Sequence, residues 1–170
     1  MAFLGGINVG GHRVAMERLR KEFEALGHDD VRTFIASGNV VFTATGRAPA
    51  VEREVEAHLT ECLGYPVPTF VRTAAAVRKV AALEAFGATA PGDSYFVGFL
   101  RKAPTAAAAR ATAALSNDQD RFEVHGKELH WLIHGGMSDT SVTSAELGRA
   151  LGVACTTRNT RSLRKLAVTL

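Results

Sequence analysis

The chain has 170 residues, of which 46% are apolar and 22% charged, proportions that exclude wholesale disorder and suit one generous domain or two small ones. The net charge of +3 lies wholly in the second half: residues 1–90 carry ten basic and ten acidic side chains, residues 91–170 ten against seven. Its one basic patch, Arg158, Arg161, Arg164 and Lys165, is too small to make a nucleic-acid binder by itself. The first residues lack a basic stretch followed by a long apolar core, and no run approaches ~18 apolar residues, so neither a signal peptide nor a membrane span is expected. The expectation is a cytoplasmic protein with no membrane partner. Cys62 and Cys155 are distant and outside any CxxC pattern, which reads as two small hydrophobes rather than a disulfide or a metal pair.

Taken in chain order, Phe3–Asn8 predicts a strand that runs into a glycine loop. Met16, Leu19, Phe23 and Leu26 recur at helical spacing before Gly27. Val31–Ile35 and Val40–Thr43 predict two strands around a turn at Ser37-Gly38-Asn39. Asp29-Asp30 reads as a turn before them. Pro49 opens a second helix with Val51, Val55, Leu59 and Cys62–Leu63 on one face and Gly64 behind it. Val67–Val71 predicts a strand, and a helix over Ala74–Ala85 follows with Thr73 as its N-cap. Residues 87–93 read as a connector. The rhythm then restarts, with a strand at Tyr95–Leu100 and an Ala-rich helix from Pro104 to Leu115. A hairpin follows at Arg121–His125 and Glu128–His134. A helix near Thr143–Leu151, a strand near Val153–Thr156 and a terminal helix complete the chain. The pattern is α+β: two ferredoxin-like β-α-β-β-α-β halves with antiparallel sheets, residues 1–86 and 94–170, plus a C-terminal helix.

The two-residue loop Gly126-Lys127 sets His125 opposite Glu128 and Glu123 opposite His130. Alternation then puts Phe122, Val124, Leu129, Trp131 and Ile133 on a core face. Arg121, Glu123, His125, Glu128, His130 and His134 fall on the other, read as solvated. His130 and His134 lie about 13 Å apart along a strand, too far to share a metal ion.

The stretch Gly5-Gly6-Ile7-Asn8-Val9-Gly10-Gly11-His12-Arg13 misses both specific nucleotide patterns. After GxxxxG it has His12-Arg13 instead of Lys and a hydroxyl, and no glycine follows Gly5 or Gly6 at an offset of two. What remains is a turn whose N–H groups, with Arg13, suit an anion. The polar clusters Ser37-Gly38-Asn39 and Thr156-Thr157-Arg158-Asn159 read as turn formers. Arg158 and Arg161 are expected at a helix start, where the macrodipole disfavours cations unless an anion binds. No nucleophile–base set, no metal set and no cofactor motif emerges.

Three stretches, Gly6-Ile7-Asn8-Val9-Gly10-Gly11, Ser37-Gly38-Asn39-Val40-Val41-Phe42 and Thr156-Thr157-Arg158-Asn159, together resemble the bacterial family of domain of unknown function 1697 (DUF1697). The resemblance implies a duplicated α+β fold and no activity or cofactor. This chain departs from the family where Arg usually precedes the first motif (Gly5 here) and where Trp usually follows the third (Thr160 here). A Ser-Lys pair that usually precedes the penultimate helix is Thr140-Ser141 here. Two positive charges and an aromatic platform are thus absent.

The leading expectation is a binding protein for a small anionic ligand, nucleotide or short single-stranded nucleic acid in a cleft between the halves. Its expected lining is Asn8, Gly10, Gly11, Arg13, Ser37, Asn39, Thr157, Arg158 and Asn159. Two alternatives stand beside it: an enzyme acting on a phosphorylated substrate with His12 as base, and a ligand-free interaction protein forming homo-oligomers.

Overall fold

The structure, a computed structural model, describes residues 1–8, 10–35 and 38–170. The N-terminal elements are β1 (Ala2–Leu4), α1 (Met16–Ala25), β2 (Asp29–Phe34), β3 (Asn39–Thr43), α2 (Ala48–Leu63), β4 (Thr69–Val71) and α3 (Ala74–Ala82). They are followed by β5 (Ser94–Leu100), α4 (Ala106–Ala113), β6 (Asp120–His125), β7 (Glu128–Ile133), α5 (Ser144–Leu151), β8 (Cys155–Asn159) and α6 (Thr160–Val168). Two antiparallel four-stranded sheets result, ordered β2-β3-β1-β4 and β6-β7-β5-β8. Both orders place the first strand of each repeat between its third and fourth, the ferredoxin-like arrangement expected from the alternation. The chain divides into two compact units, Met1–Val77 with Leu170, and Arg78–Thr169.

In the N-terminal unit the strand expected over Phe3–Asn8 stops at Leu4. Gly5 N–H still donates to Pro68 O at 2.7 Å. Gly6 (φ +73°) and Asn8 (φ +56°) then enter the left-handed region, which no ladder can follow. Helix α1 buries Leu19 and Phe23; α2 carries Pro49 in its first turn, buries Val51, Val55 and Leu59, and ends at left-handed Gly64. These side chains form a core with Ala2, Leu4, Val40 and Val71 of the sheet. Helix α2 also covers the sheet edge: Glu56 and Glu52, one turn apart, accept the outward N–H groups of Thr69 (2.9 Å) and Val71 (2.8 Å). Asp29-Asp30, expected as a turn, instead opens β2. Asp30 has φ +52°, and the β2–β3 register shifts between Asp29 and Arg32, so a bulge absorbs the irregularity within the strand.

In the C-terminal unit the hairpin has the register its loop dictates, His125 opposite Glu128 and Glu123 opposite His130. Phe122, Leu129, Trp131 and Ile133 pack with Leu147 and Leu151 of α5. Helix α4 starts at Ala106 because Thr105, not Pro104, caps it: its hydroxyl accepts from Ala108 N–H at 3.1 Å. Thr143 and Glu146 form a reciprocal capping box at the start of α5. The last strand lies further along than Val153–Thr156, because β5 pairs with it from Leu100–Cys155 to Phe96–Asn159. Arg158 is therefore a strand residue, and the expectation that it starts a helix is corrected; of the two arginines only Arg161 stands in the first turn of α6. Among the described residues no helix is long and apolar enough to cross a membrane.

Candidate functional site

The glycine loop folds over its own side chain. Asn8 Oδ1 accepts from Val14 N–H at 2.8 Å, and its Nδ2 donates to Val14 O at 3.4 Å, closing the segment between β1 and α1. Gly10 (φ +60°) and Gly11 (φ +90°) sit exposed at the crest in backbone conformations that suit glycine. An open cleft of about 560 Å³ is lined by Asn8, Gly10, Gly11, His12, Arg13, Val14 and Ala15. It ends at the start of α1, whose N-cap, Ala15, offers no side-chain acceptor to the first turn. Helices α4, α5 and α6 are capped by Thr105, Thr143 and Asn159, whereas α2, after Arg47, shares the lack of a side-chain cap but lies outside the cleft. Glu17, the acid in the first turn of α1, is held by Arg20 at 2.6 Å. The His12 ring stacks on Tyr65, with centroids 3.8 Å apart and planes 20° from parallel.

The second motif meets the first at one end of the N-terminal sheet. Leu4 N–H donates to Gly38 O at 2.8 Å. A Cβ on Gly38 would lie 3.1 Å from both Leu4 Cβ and Ile7 Cβ, at φ +71°. Gly38→Ala is therefore expected to cost about 2 kcal/mol, backbone strain adding to the crowding. Urea denaturation checks it, and a change under about 0.5 kcal/mol would show that the loop yields freely. Asn39 is buried, and its amide donates to Phe34 O at 3.2 Å across the hairpin. Ser37 lies outside the described residues.

The third motif belongs to the C-terminal unit. Arg158 is buried on β8 and donates to Thr156 Oγ1 at 2.9 Å and to Thr157 O at 2.8 Å. Burial lowers its guanidinium to about 10, so it is charged at neutral pH. Asn159 caps α6, its Oδ1 accepting from Arg161 N–H at 2.9 Å. Thr160, where the family usually has Trp, is buried and donates its hydroxyl to Tyr95 O at 3.0 Å. Burial pushes the Cys155 thiol up to about 12, as suits a small hydrophobe.

Two buried polar centres escape alternation arguments. His130, expected on a solvated face, is completely buried: its Nδ1 lies 2.6 Å from the Tyr95 hydroxyl, and its Nε2 has no partner among the described residues. The expectation fails because α3 ends at Ala82, short of the expected Ala85, and the turn after it returns over that face, with Ala85 N–H reaching Tyr95 Oη at 3.4 Å and Phe86 packing on the Tyr95 ring. Asp120, absent from every sequence motif, is also fully buried. It accepts from Trp131 Nε1 (2.9 Å), Thr140 Oγ1 (2.7 Å), Ser141 N–H (2.9 Å) and Ser141 Oγ (3.0 Å). Nothing in the sequence pointed to it: Thr140-Ser141 stood out only as a departure from the family's usual Ser-Lys pair.

Fold and loop together define a tandem α+β protein with an open cleft beside the glycine loop of its first unit. The chain belongs to the family described as "Protein of unknown function (DUF1697)", whose profile matches residues 1–130. The match covers the first two motifs and stops short of the third. A search of functionally curated proteins finds no match. Among solved structures, a conserved bacterial protein from Streptococcus pneumoniae is similar in fold. Its TM-score is 0.70 at 19% identity, over 98% of this chain and 95% of that one.

Proposed function

We propose that this is a cytoplasmic protein that binds a small anionic ligand in the Asn8–Ala15 cleft, a nucleotide being the class that would use every feature of it. The observation that carries the reading is the uncapped first turn of α1 at a cleft that also holds Arg13. Unclaimed N–H groups at a helix start, with the glycine peptides beside them, suit a phosphate group. The flat His12–Tyr65 stack suits a base, and a short single strand would use the same two features. His12 serves there as a surface, so the reading is one of binding rather than catalysis. Asn8 and Asn39 shape the site through the backbone, and Gly10, Gly11 and Arg13 meet the anion. Ser37, Thr157, Arg158 and Asn159 are proposed on the motifs alone, outside the lining of this cleft.

Calorimetric titration with inorganic phosphate, nucleoside monophosphates and short oligonucleotides tests this. Arg13→Ala is expected to weaken binding roughly ten- to a hundredfold, the loss of one charge-assisted hydrogen bond. Arg158→Ala in the same titration assigns Arg158 to the ligand if affinity falls equally, and confines the site to the N-terminal unit if it does not. No heat and no thermal shift from any of these ligands at millimolar concentration would end the proposal.

A further inference from the structure

We propose that Glu22, His58 and Cys62 form a zinc site between α1 and α2, independent of the anion cleft. His58 and Cys62 stand one turn apart on α2, so their side chains emerge on the same face. Glu22 reaches them from α1. The three ligand atoms, an imidazole nitrogen, a thiol sulfur and a carboxylate oxygen, all lie within 4.8 Å of one another. His58 Nε2 and Glu22 Oε2 are hydrogen-bonded at 3.0 Å. Zinc bonded to nitrogen and oxygen at ~2.0–2.2 Å and to sulfur at ~2.3 Å in a tetrahedron sets its ligands roughly 3.3–3.6 Å apart. The cluster therefore closes on an ion with small side-chain movements, and the fourth position falls to water.

Donor chemistry selects the metal. A set of one sulfur, one nitrogen and one carboxylate oxygen suits a borderline-soft divalent ion and not calcium or magnesium, which take oxygen. The surroundings also fit. Arg18 lies 3.6 Å from Glu22 Oε1, the oxygen that does not meet His58, and so steadies the carboxylate while leaving Oε2 for the metal. The same guanidinium donates to Cys62 O at 2.8 Å, tying α1 to the last turn of α2. All three side chains are half-buried, shielded but reachable. A cysteine–histidine nucleophile is the competing use of such a trio. That use needs the imidazole to take the thiol proton, whereas His58 Nε2 here meets Glu22 Oε2 at 3.0 Å and the Cys62 thiol lies 3.7 Å from Leu59 O. The pairing was written in the sequence as a His and a Cys four residues apart on one helix. Its carboxylate was not, since Glu22 lies on another helix.

The test uses tag-free full-length protein, stripped with chelator and kept reduced, titrated with Co²⁺ as a spectroscopic stand-in and with Zn²⁺. One Co²⁺ per chain is expected, with tetrahedral visible bands and a thiolate-to-cobalt charge-transfer band. That charge-transfer band should vanish in Cys62→Ser and persist in Cys155→Ser. Zn²⁺ at a hundredfold its dissociation constant should raise the Tm by roughly 5–10 °C. His58→Gln and Glu22→Gln should each weaken Zn²⁺ binding roughly a hundredfold or more, since even outer-shell losses reach that scale. No thiolate band in the wild-type protein, or a band surviving Cys62→Ser, overturns the proposal whether or not any variant folds less well. Equal Zn²⁺ affinity in wild type and all three variants overturns it too. Neither result bears on the anion cleft, which the phosphate titration reads separately.

Discussion

Asp120→Ala is expected to destabilise the C-terminal unit by about 3–5 kcal/mol, the largest single effect we anticipate. The carboxylate is fully buried at the start of β6 and gathers four donors from Trp131, Thr140 and Ser141. Truncation leaves the Trp131 indole N–H without its acceptor in a buried setting, an orphan that costs about 1–3 kcal/mol, and removes the three charge-assisted bonds from Thr140 and Ser141. The two hydroxyls can turn elsewhere, so the four losses do not simply add. Asp120→Asn keeps one oxygen and should cost about half as much. Trp131 is the one tryptophan of the chain, so its fluorescence reports on this site during guanidinium unfolding. A loss under about 1 kcal/mol in Asp120→Ala would mean that the cluster is incidental.

The same carboxylate adds acid sensitivity with a definite sign. Burial alone would raise its pKa, but the bonds from Thr140, Trp131 and Ser141 outweigh that and hold it below the ordinary value of 3.8. A depressed folded value stabilises the fold above the unfolded pKa. That contribution fades as pH drops below about 4 through the folded value.

His130 acts at milder pH. Burial is the main cause and the His125 charge the second that lower its pKa from 6.5 to about 4, against a smaller opposing pull from Glu123. The unfolded chain therefore takes up a proton near pH 6.5 that the folded chain refuses until near pH 4. Stability from the neutral ring is complete above 6.5 and is lost as pH falls from there toward 4. Between pH 7.5 and 5 this amounts to ~2 kcal/mol, approaching ~3 kcal/mol lower down. Tyr95, bonded to the ring, is itself pushed up by burial and stays protonated throughout this range. His130→Gln cannot charge, so its unfolding free energy should change far less over that interval, whatever its stability at pH 7.5. Parallel pH profiles for the variant and the wild type would remove His130 as the source.

Much of the fold was legible because local rules and long-range packing agree in it. Leu19 and Phe23 on α1 and Val51, Val55 and Leu59 on α2 are spaced for one helical face, and those faces are the ones buried. Gly126-Lys127 could close one kind of hairpin, and the register followed from it. The glycine loop was likewise readable as a turn before a helix. The boundaries were less so. β1 ends early where Gly6 and Asn8 adopt left-handed backbone, and β8 begins late because β5, far away in the chain, sets which residues it pairs, from Leu100–Cys155 to Phe96–Asn159.

By itself, then, the sequence determined the alternation of strands and helices, the apolar face of each, the hairpin register and membership of the family, since all of these rest on spacing within short windows. Tertiary structure alone decided the fate of the polar residues. His130 alternates onto a face that looks solvated until the segment ending in Phe86 covers it, and Asp120 becomes a hub only when Thr140 and Ser141 fold back over it. Glu22 meets His58 and Cys62 only because α1 lies against α2. A side chain's burial and partners depend on what the rest of the chain brings to it, and no window of neighbours contains that information.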